Sequence, residues 1–302
     1  MAASRVYTAL PELPPRPHGF SRLERRHEAV RLAGRAEPVV LSWVGKGSGP
    51  PLLLVHGLMT SAYSWRYVID ALAERYRVIA VDLPGAGQSA APADLSQTPH
   101  SLAETLDAFL GQLGVERAYV AGSSMGGYVC LWWWLLHPER FERLMVLNAP
   151  GFPEARLYAL HALLSLPGSG WLLEQVTRHP EQFALDNVHY HDESVKSREE
   201  TREYSRWLAY DDRRAVFRRH LLETMDPWTM RRLPAALAAR KAGAPPLRLL
   251  WARHDVLVSP EFGPRYQALL PEAELVWLDD TSHFLQVDTP EATVRELLRF
   301  GG

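Results

Sequence analysis

The sequence predicts an α/β protein built on a mostly parallel, doubly wound sheet of about eight strands, with one helical region inserted near its middle. Short apolar runs bounded by turn residues alternate with segments of helical spacing from residue 51 to about 151. Only helix-like segments follow from about 152 to 243, after which the alternation resumes to the end of the chain. The apolar runs are continuous, as in Pro51-Leu52-Leu53-Leu54-Val55, which is expected of strands covered on both faces.

Residues 1–25 form a lead spotted with Pro11, Pro14, Pro15 and Pro17, and the sequence does not say whether it is an ordered arm or loose. Residues 27–32 and 38–44 read as an antiparallel hairpin at a sheet edge. After the strand at 51–55, Ser61 is placed to cap a helix carrying Trp65, Val68, Ile69 and Leu72. Arg77-Val78-Ile79-Ala80-Val81 is another buried strand, broken by the Gly- and Pro-rich loop from Asp82 to Ser89. Ser101-Leu102-Ala103-Glu104 opens the next helix as a capping box, with Leu106, Phe109, Leu110 and Leu113 as its apolar stripe. The strand at 117–121 then runs through Gly122-Ser123-Ser124-Met125-Gly126 into a helix-like segment, Tyr128 to Leu136, and 141–148 is again strand-like.

In the helical region the candidate segments are 157–166, 170–176, 194–210 and 213–225. The charge clusters Arg198 to Glu203 and Asp211 to Arg214 are expected to be solvated helix faces. Strands at 246–251 and 273–278 and helices at 260–270 and 291–300 complete the pattern. The implied organisation is a lead at 1–25, a first core segment at 26–151, a helical lid at 152–243 and a second core segment at 244–302.

Composition narrows the function. The chain has 302 residues, 47% hydrophobic and 23% charged, so it can bury a sizeable core and is not a largely disordered polymer. Its formal net charge of -2 leaves no electrostatic footprint for nucleic acid or an anionic membrane. No run reaches the roughly 18 apolar residues of a membrane span, and the N-terminus lacks the apolar core of a secretory signal. A cytoplasmic location and a small-molecule partner are expected. The single cysteine, Cys130, cannot form an intramolecular disulfide and falls among apolar helix residues.

The chemistry concentrates at strand ends. In Gly-x-Ser-x-Gly between strand and helix, a sharp turn exposes the Ser124 hydroxyl, and Gly122 and Gly126 remove the Cβ atoms that would collide. The turn also puts the Met125 N–H at a helix N-terminus, where it favours a developing oxyanion. Ser123 is read as packing. A nucleophilic serine needs a base, and the base needs an orienting partner; His283 and Asp255, also at strand ends, can supply these roles. Asp279 and Asp280 are rival acids on the same strand end as His283, and are read as turn residues. His56 is read as a buried histidine bonding loop backbone, Asp82 as a turn cap, and His254 as packing against the sheet rim. His189, His191 and Asp192 lack the remaining ligand spacing of a zinc site, so no metal and no cofactor is implied.

Together the motifs Leu52-Leu53-Leu54-Val55-His56-Gly57, Asp82 to Ser89, Gly122 to Gly127, Arg253-His254-Asp255 and His283 to Glu291 resemble the α/β-hydrolase superfamily. The likeness is to its lid-bearing group of carboxylesterases, meta-cleavage-product C–C hydrolases, haloalkane dehalogenases and epoxide hydrolases. The chain order Ser, Asp, His agrees with that fold. The resemblance implies Ser124 as nucleophile, His283 as general base then acid, Asp255 as orienting carboxylate, and the N–H groups of Leu58 and Met125 as oxyanion hole. Dehalogenases and epoxide hydrolases of the group place Asp at the elbow, whereas this chain has Ser, which favours acyl chemistry. Ester hydrolysis is the expectation. C–C hydrolysis, acyl transfer or perhydrolysis, and a non-catalytic binding role are the alternatives. Trp171, Leu172, Phe183 and Tyr190 are expected to line an apolar cleft.

Overall fold

The computed structural model describes residues 6–240 and 242–301; Met1 to Arg5 of the lead, Lys241 of the helical region and Gly302 lie outside the described residues. Its centre is an eight-stranded sheet in the order β1-β2-β4-β3-β5-β6-β7-β8. The strands are β1 (Arg25–Val30), β2 (Val39–Lys46), β3 (Pro51–Val55), β4 (Arg77–Val81), β5 (Ala118–Ser123), β6 (Phe141–Leu147), β7 (Leu247–Ala252) and β8 (Glu274–Leu278). β1 and β2 pair antiparallel, with Arg25 opposite Val44, and β2 pairs antiparallel with β4. The pairs from β4 through β3, β5, β6 and β7 to β8 are parallel. The expected edge hairpin and doubly wound core are therefore both present.

The helices, in chain order, are α1 (Ile69–Leu72), α2 (Pro99–Gln112), α3 (Met125–Leu136), α4 (Ala155–Ser165), α5 (Ser169–Val176), α6 (Pro180–Asn187), α7 (Arg198–Ser205), α8 (Asp211–Arg219), α9 (Pro227–Met230), α10 (Leu233–Ala238), α11 (Phe262–Leu269), α12 (Leu285–Asp288) and α13 (Pro290–Phe300). Several differ from expectation for local reasons. Ser61 does cap, accepting from Tyr63 N at 3.3 Å, but what it caps is a 3₁₀ turn followed by the short α1. The N-cap of α2 is Thr98, which accepts from Ser101 N at 3.3 Å; Pro99 then occupies the first turn, where its missing N–H costs nothing. α6, α9 and α10 each begin with or contain an early proline and are too short to show periodicity in sequence.

Core packs on both sheet faces. One side gathers Leu53, Val55, Phe109, Val120, Leu144, Leu249 and the α3 tryptophans; the other gathers Leu54, Trp65, Ala80, Met145, Leu250 and Leu285. Trp132, Trp133 and Trp134 are all buried, and Cys130 is a buried free thiol whose pKa burial pushes upward. No helix among the described residues is long and apolar enough to cross a membrane.

The described part of the lead is an arm laid across the helical region. Pro11 O and Glu12 O accept from Arg198 N (2.9 Å) and Glu199 N (3.0 Å), filling two amide positions that the start of α7 leaves open. The expected solvated face of α7 is corrected at two residues: Glu200 and Thr201 are buried, and Glu200 is paired with the equally buried Arg66 that follows β3.

Candidate active site

β5 ends at Ser123 and α3 begins at Met125, so Ser124 makes the turn by itself, at φ 54° and ψ -125°. A side-chain-bearing residue adopts that left-handed φ only when its surroundings over-determine it. Here Ser124 N donates to Leu147 O (2.8 Å) and Ser124 O accepts from Tyr128 N (3.0 Å). A Cβ on Gly126 would sit 2.3 Å from His56 O, and one on Gly122 would sit 2.7 Å from Gly127 Cα. Both obstacles are backbone, so only glycine fits. A Cβ on Gly57 would lie 2.9 Å from Ser124 Cβ and 3.5 Å from its Oγ, which sets the turn leading to Leu58 directly against the serine.

Asp255 follows β7 and is held by its own loop, Oδ1 accepting from Leu257 N (2.7 Å) and Val258 N (2.9 Å). Its Oδ2 stands 2.8 Å from His283 Nδ1, and both side chains are buried. A proton on Nδ1 facing the carboxylate leaves the Nε2 lone pair of the neutral ring for a substrate proton. The rival acids point elsewhere. Asp279 pairs with Arg253 Nε at 2.7 Å with its side chain 72% exposed, and Asp280 is a turn residue with φ 50°.

The supporting residues are wired to backbone. His56 Nδ1 lies 2.7 Å from Gly57 O and its Nε2 accepts from Leu83 N at 2.9 Å, so the ring is neutral and ties the loops after β3 and β4 together; burial lowers its pKa. Asp82 caps as expected, accepting from Ala62 N (2.7 Å) and Gln88 N (3.0 Å), and also from Arg25 Nη1 (2.7 Å). His254 departs from expectation: it is exposed, and its ring meets that of His191 at 5.5 Å. Of the residues expected to line a cleft, Trp171 is 65% exposed on α5 and Leu172 is also exposed. Tyr190 is buried edge-on to Phe284, while Phe183 is half-buried against Phe217.

Asn148 is a residue the sequence reading passed over. It is fully buried at the end of β6 with φ 44°; Oδ1 accepts from Ala252 N (2.9 Å) and Nδ2 donates to Ser282 O (3.2 Å) and His283 O (3.1 Å). One amide thus joins the strand end before Asp255 to the loop carrying His283. The available signal was an asparagine, a residue tolerant of left-handed backbone, at a strand end immediately before Ala149-Pro150-Gly151. Asn148→Ala leaves these buried groups unpaired and is expected to cost about 2–3 kcal/mol; a lowered urea midpoint checks this, and an unchanged midpoint would contradict it.

Known proteins place this geometry in a family. Residues 50–290 match the family model described as alpha/beta hydrolase fold. An uncharacterised hydrolase, YugF, of Bacillus subtilis (strain 168) is 29% identical over 259 residues, covering 82% of this chain and 89% of that protein. Haloalkane dehalogenase 2 of Mycobacterium bovis is 29% identical over 273 residues, covering 86% and 91%. The solved structure of the epoxide hydrolase CorEH superposes with a TM-score of 0.76 at 24% identity, covering 92% of this chain and 98% of that one, a likeness of fold. With its sheet order, its strand–Ser124–helix turn and a family match across most of its length, the chain belongs to the α/β-hydrolase fold family and is a hydrolase of that type.

Proposed function

We propose that the chain is a serine hydrolase that cleaves carboxylic esters of small, largely apolar substrates through an acyl-enzyme on Ser124. The observation that carries this is the identity of the elbow residue, a hydroxyl on a turn whose fold also supplies a buried imidazole–carboxylate pair. Two relatives are named for haloalkane and epoxide chemistry, which makes attack on a saturated carbon the competing reading. Serine is unsuited to it. Attack of Oγ on an sp3 carbon leaves an alkyl ether, which has no carbonyl for water to add to, whereas attack on a carbonyl leaves an ester that water can release.

In this reading Ser124 Oγ attacks the substrate carbonyl as His283 Nε2 takes its proton, and Asp255 stabilises the imidazolium. The N–H groups of Leu58 and Met125 donate to the developing oxyanion, each worth on the order of 3 kcal/mol. Collapse expels the alcohol, which takes the proton from His283. Water, deprotonated by the same ring, then cleaves the acyl-enzyme. An apolar acyl group is supported by the neighbours of Leu58 and His283: Met59 and Phe284 are buried in one apolar cluster, against which Leu58 packs.

The purified protein is expected to release p-nitrophenol from p-nitrophenyl butyrate and no bromide from 1-bromobutane. A well-folded protein showing the reverse pattern, or no ester turnover, would overturn the ester reading.

A further inference from the structure

The segment between α6 and α7 reaches the neighbours of both His283 and Asp255 with two consecutive residues. Tyr190 packs its ring at 5.4 Å and 74° on Phe284, whose own ring stands edge-on to His283 at 5.1 Å. His191 lays its ring on His254, the residue before Asp255, and its N–H donates to Asp288 Oδ1 at 3.0 Å. The other oxygen of Asp288 accepts from Ser282 N at 2.8 Å and from Thr281 Oγ1 at 3.4 Å. One carboxylate therefore joins the helical region to the residue that immediately precedes His283.

The loop is gripped from two sides. Asp288 holds the N–H of Ser282, while Asn148 holds the carbonyls of Ser282 and His283. Burial pushes the Asp288 carboxyl up to about 6, opposed by the amide donors of Ser282 and His191. Each oxygen accepts from a backbone N–H, His191 on one and Ser282 on the other, which is the pattern of the carboxylate form. A hydrogen bond to Asn148 is made within the sheet core, but the bond to His191 crosses to the helical region. The position of the His283 backbone is thus coupled to the seating of residues 190–191, and a misplacement of about 1 Å in a reacting group costs on the order of 10²-fold in rate.

We propose that Asp288 is a positioning residue for His283, its two carboxylate oxygens clamping the Ser282 amide to the His191 amide so that the base stays aligned with Ser124 while the segment 190–191 is seated. This rests on the reading of Ser124, His283 and Asp255 as a catalytic triad. Asp288 touches no reacting atom; it acts through the loop. The coupling gives the helical region a hold on catalysis separate from substrate contact.

The test compares wild type, Asp288→Ala and Asp288→Asn by steady-state hydrolysis of p-nitrophenyl butyrate, by urea midpoint, and by the rate at which diisopropyl fluorophosphate modifies Ser124, a step that needs the base. Asp288→Ala is expected to lower kcat and the modification rate together by about 30- to 100-fold, with KM within about twofold. Asp288→Asn keeps one acceptor but turns an NH₂ toward the other donor, so an intermediate loss of about 5- to 10-fold is expected. That variant also carries the test if the alanine variant does not fold. A lowered midpoint with unchanged kcat and modification rate would make Asp288 merely structural and overturn the proposal. A raised KM at unchanged kcat would overturn it in favour of substrate binding. Failure of the wild type itself to turn over ester or react with the phosphofluoridate would remove the triad reading, an outcome distinct from either.

Discussion

Ser124→Ala is expected to abolish ester hydrolysis, lowering kcat on p-nitrophenyl butyrate by at least about 10⁴-fold while leaving the fold intact. In the proposed mechanism the size follows from the unit character of the machinery: without the hydroxyl, His283 and Asp255 would have no nucleophile to activate, and only binding and the amide donors would remain. The preserved fold follows from how Ser124 is held. Its backbone groups bond Leu147 O and Tyr128 N, and its side chain makes no capping bond to α3, so alanine removes no structural hydrogen bond of the turn. The measurement is turnover of the two proteins side by side with their urea midpoints. Loss of activity at an unchanged midpoint assigns the nucleophile. Retained activity would place the nucleophile elsewhere.

Glu200→Leu is expected to destabilise the protein by about 3–5 kcal/mol. Arg66 is buried with its side chain fully covered, stacked at 4.5 Å on Tyr63 and 4.4 Å on Tyr67, and donates Nη1 to Tyr204 OH at 3.1 Å. Its Nη2 pairs with Glu200, whose carboxyl is pushed up by burial and drawn back down by that guanidinium. An arginine cannot shed its charge, so removing Glu200 strands a cation in a low-dielectric site at the junction between α7 and the core. Urea unfolding should show the loss directly. The double variant Arg66→Met/Glu200→Leu removes both charges and is expected to recover most of it. If the single variant matched wild type, the pair would hold nothing in place.

These two residues also mark where sequence reading succeeds and where it stops. Ser124 was legible because its conformation is encoded locally: an apolar strand, glycines at two positions where a Cβ would strike backbone, and an apolar helix, all within one short stretch. Asp255 and His283, which the structure pairs at 2.8 Å, could be singled out because each follows a strand of the right kind, in an order that one fold uses. Glu200 was misread as part of a solvated face, since helical periodicity reports that a face is polar and says nothing of what covers it.

The amino-acid sequence alone determined the strand and helix alternation, the elbow and the residue that stands at it, Ser124, on which the proposed preference for carbonyl over saturated carbon rests. Those features depend on backbone chemistry and apolar runs between near neighbours. Only the tertiary structure decided which polar groups are buried together: Arg66 with Glu200, the described arm with α7, Asn148 with the His283 loop, and Asp288 with His191. Each of these pairings closes a long loop of chain, and its sign and strength come from desolvation at contact, a quantity that no residue carries in its own neighbourhood.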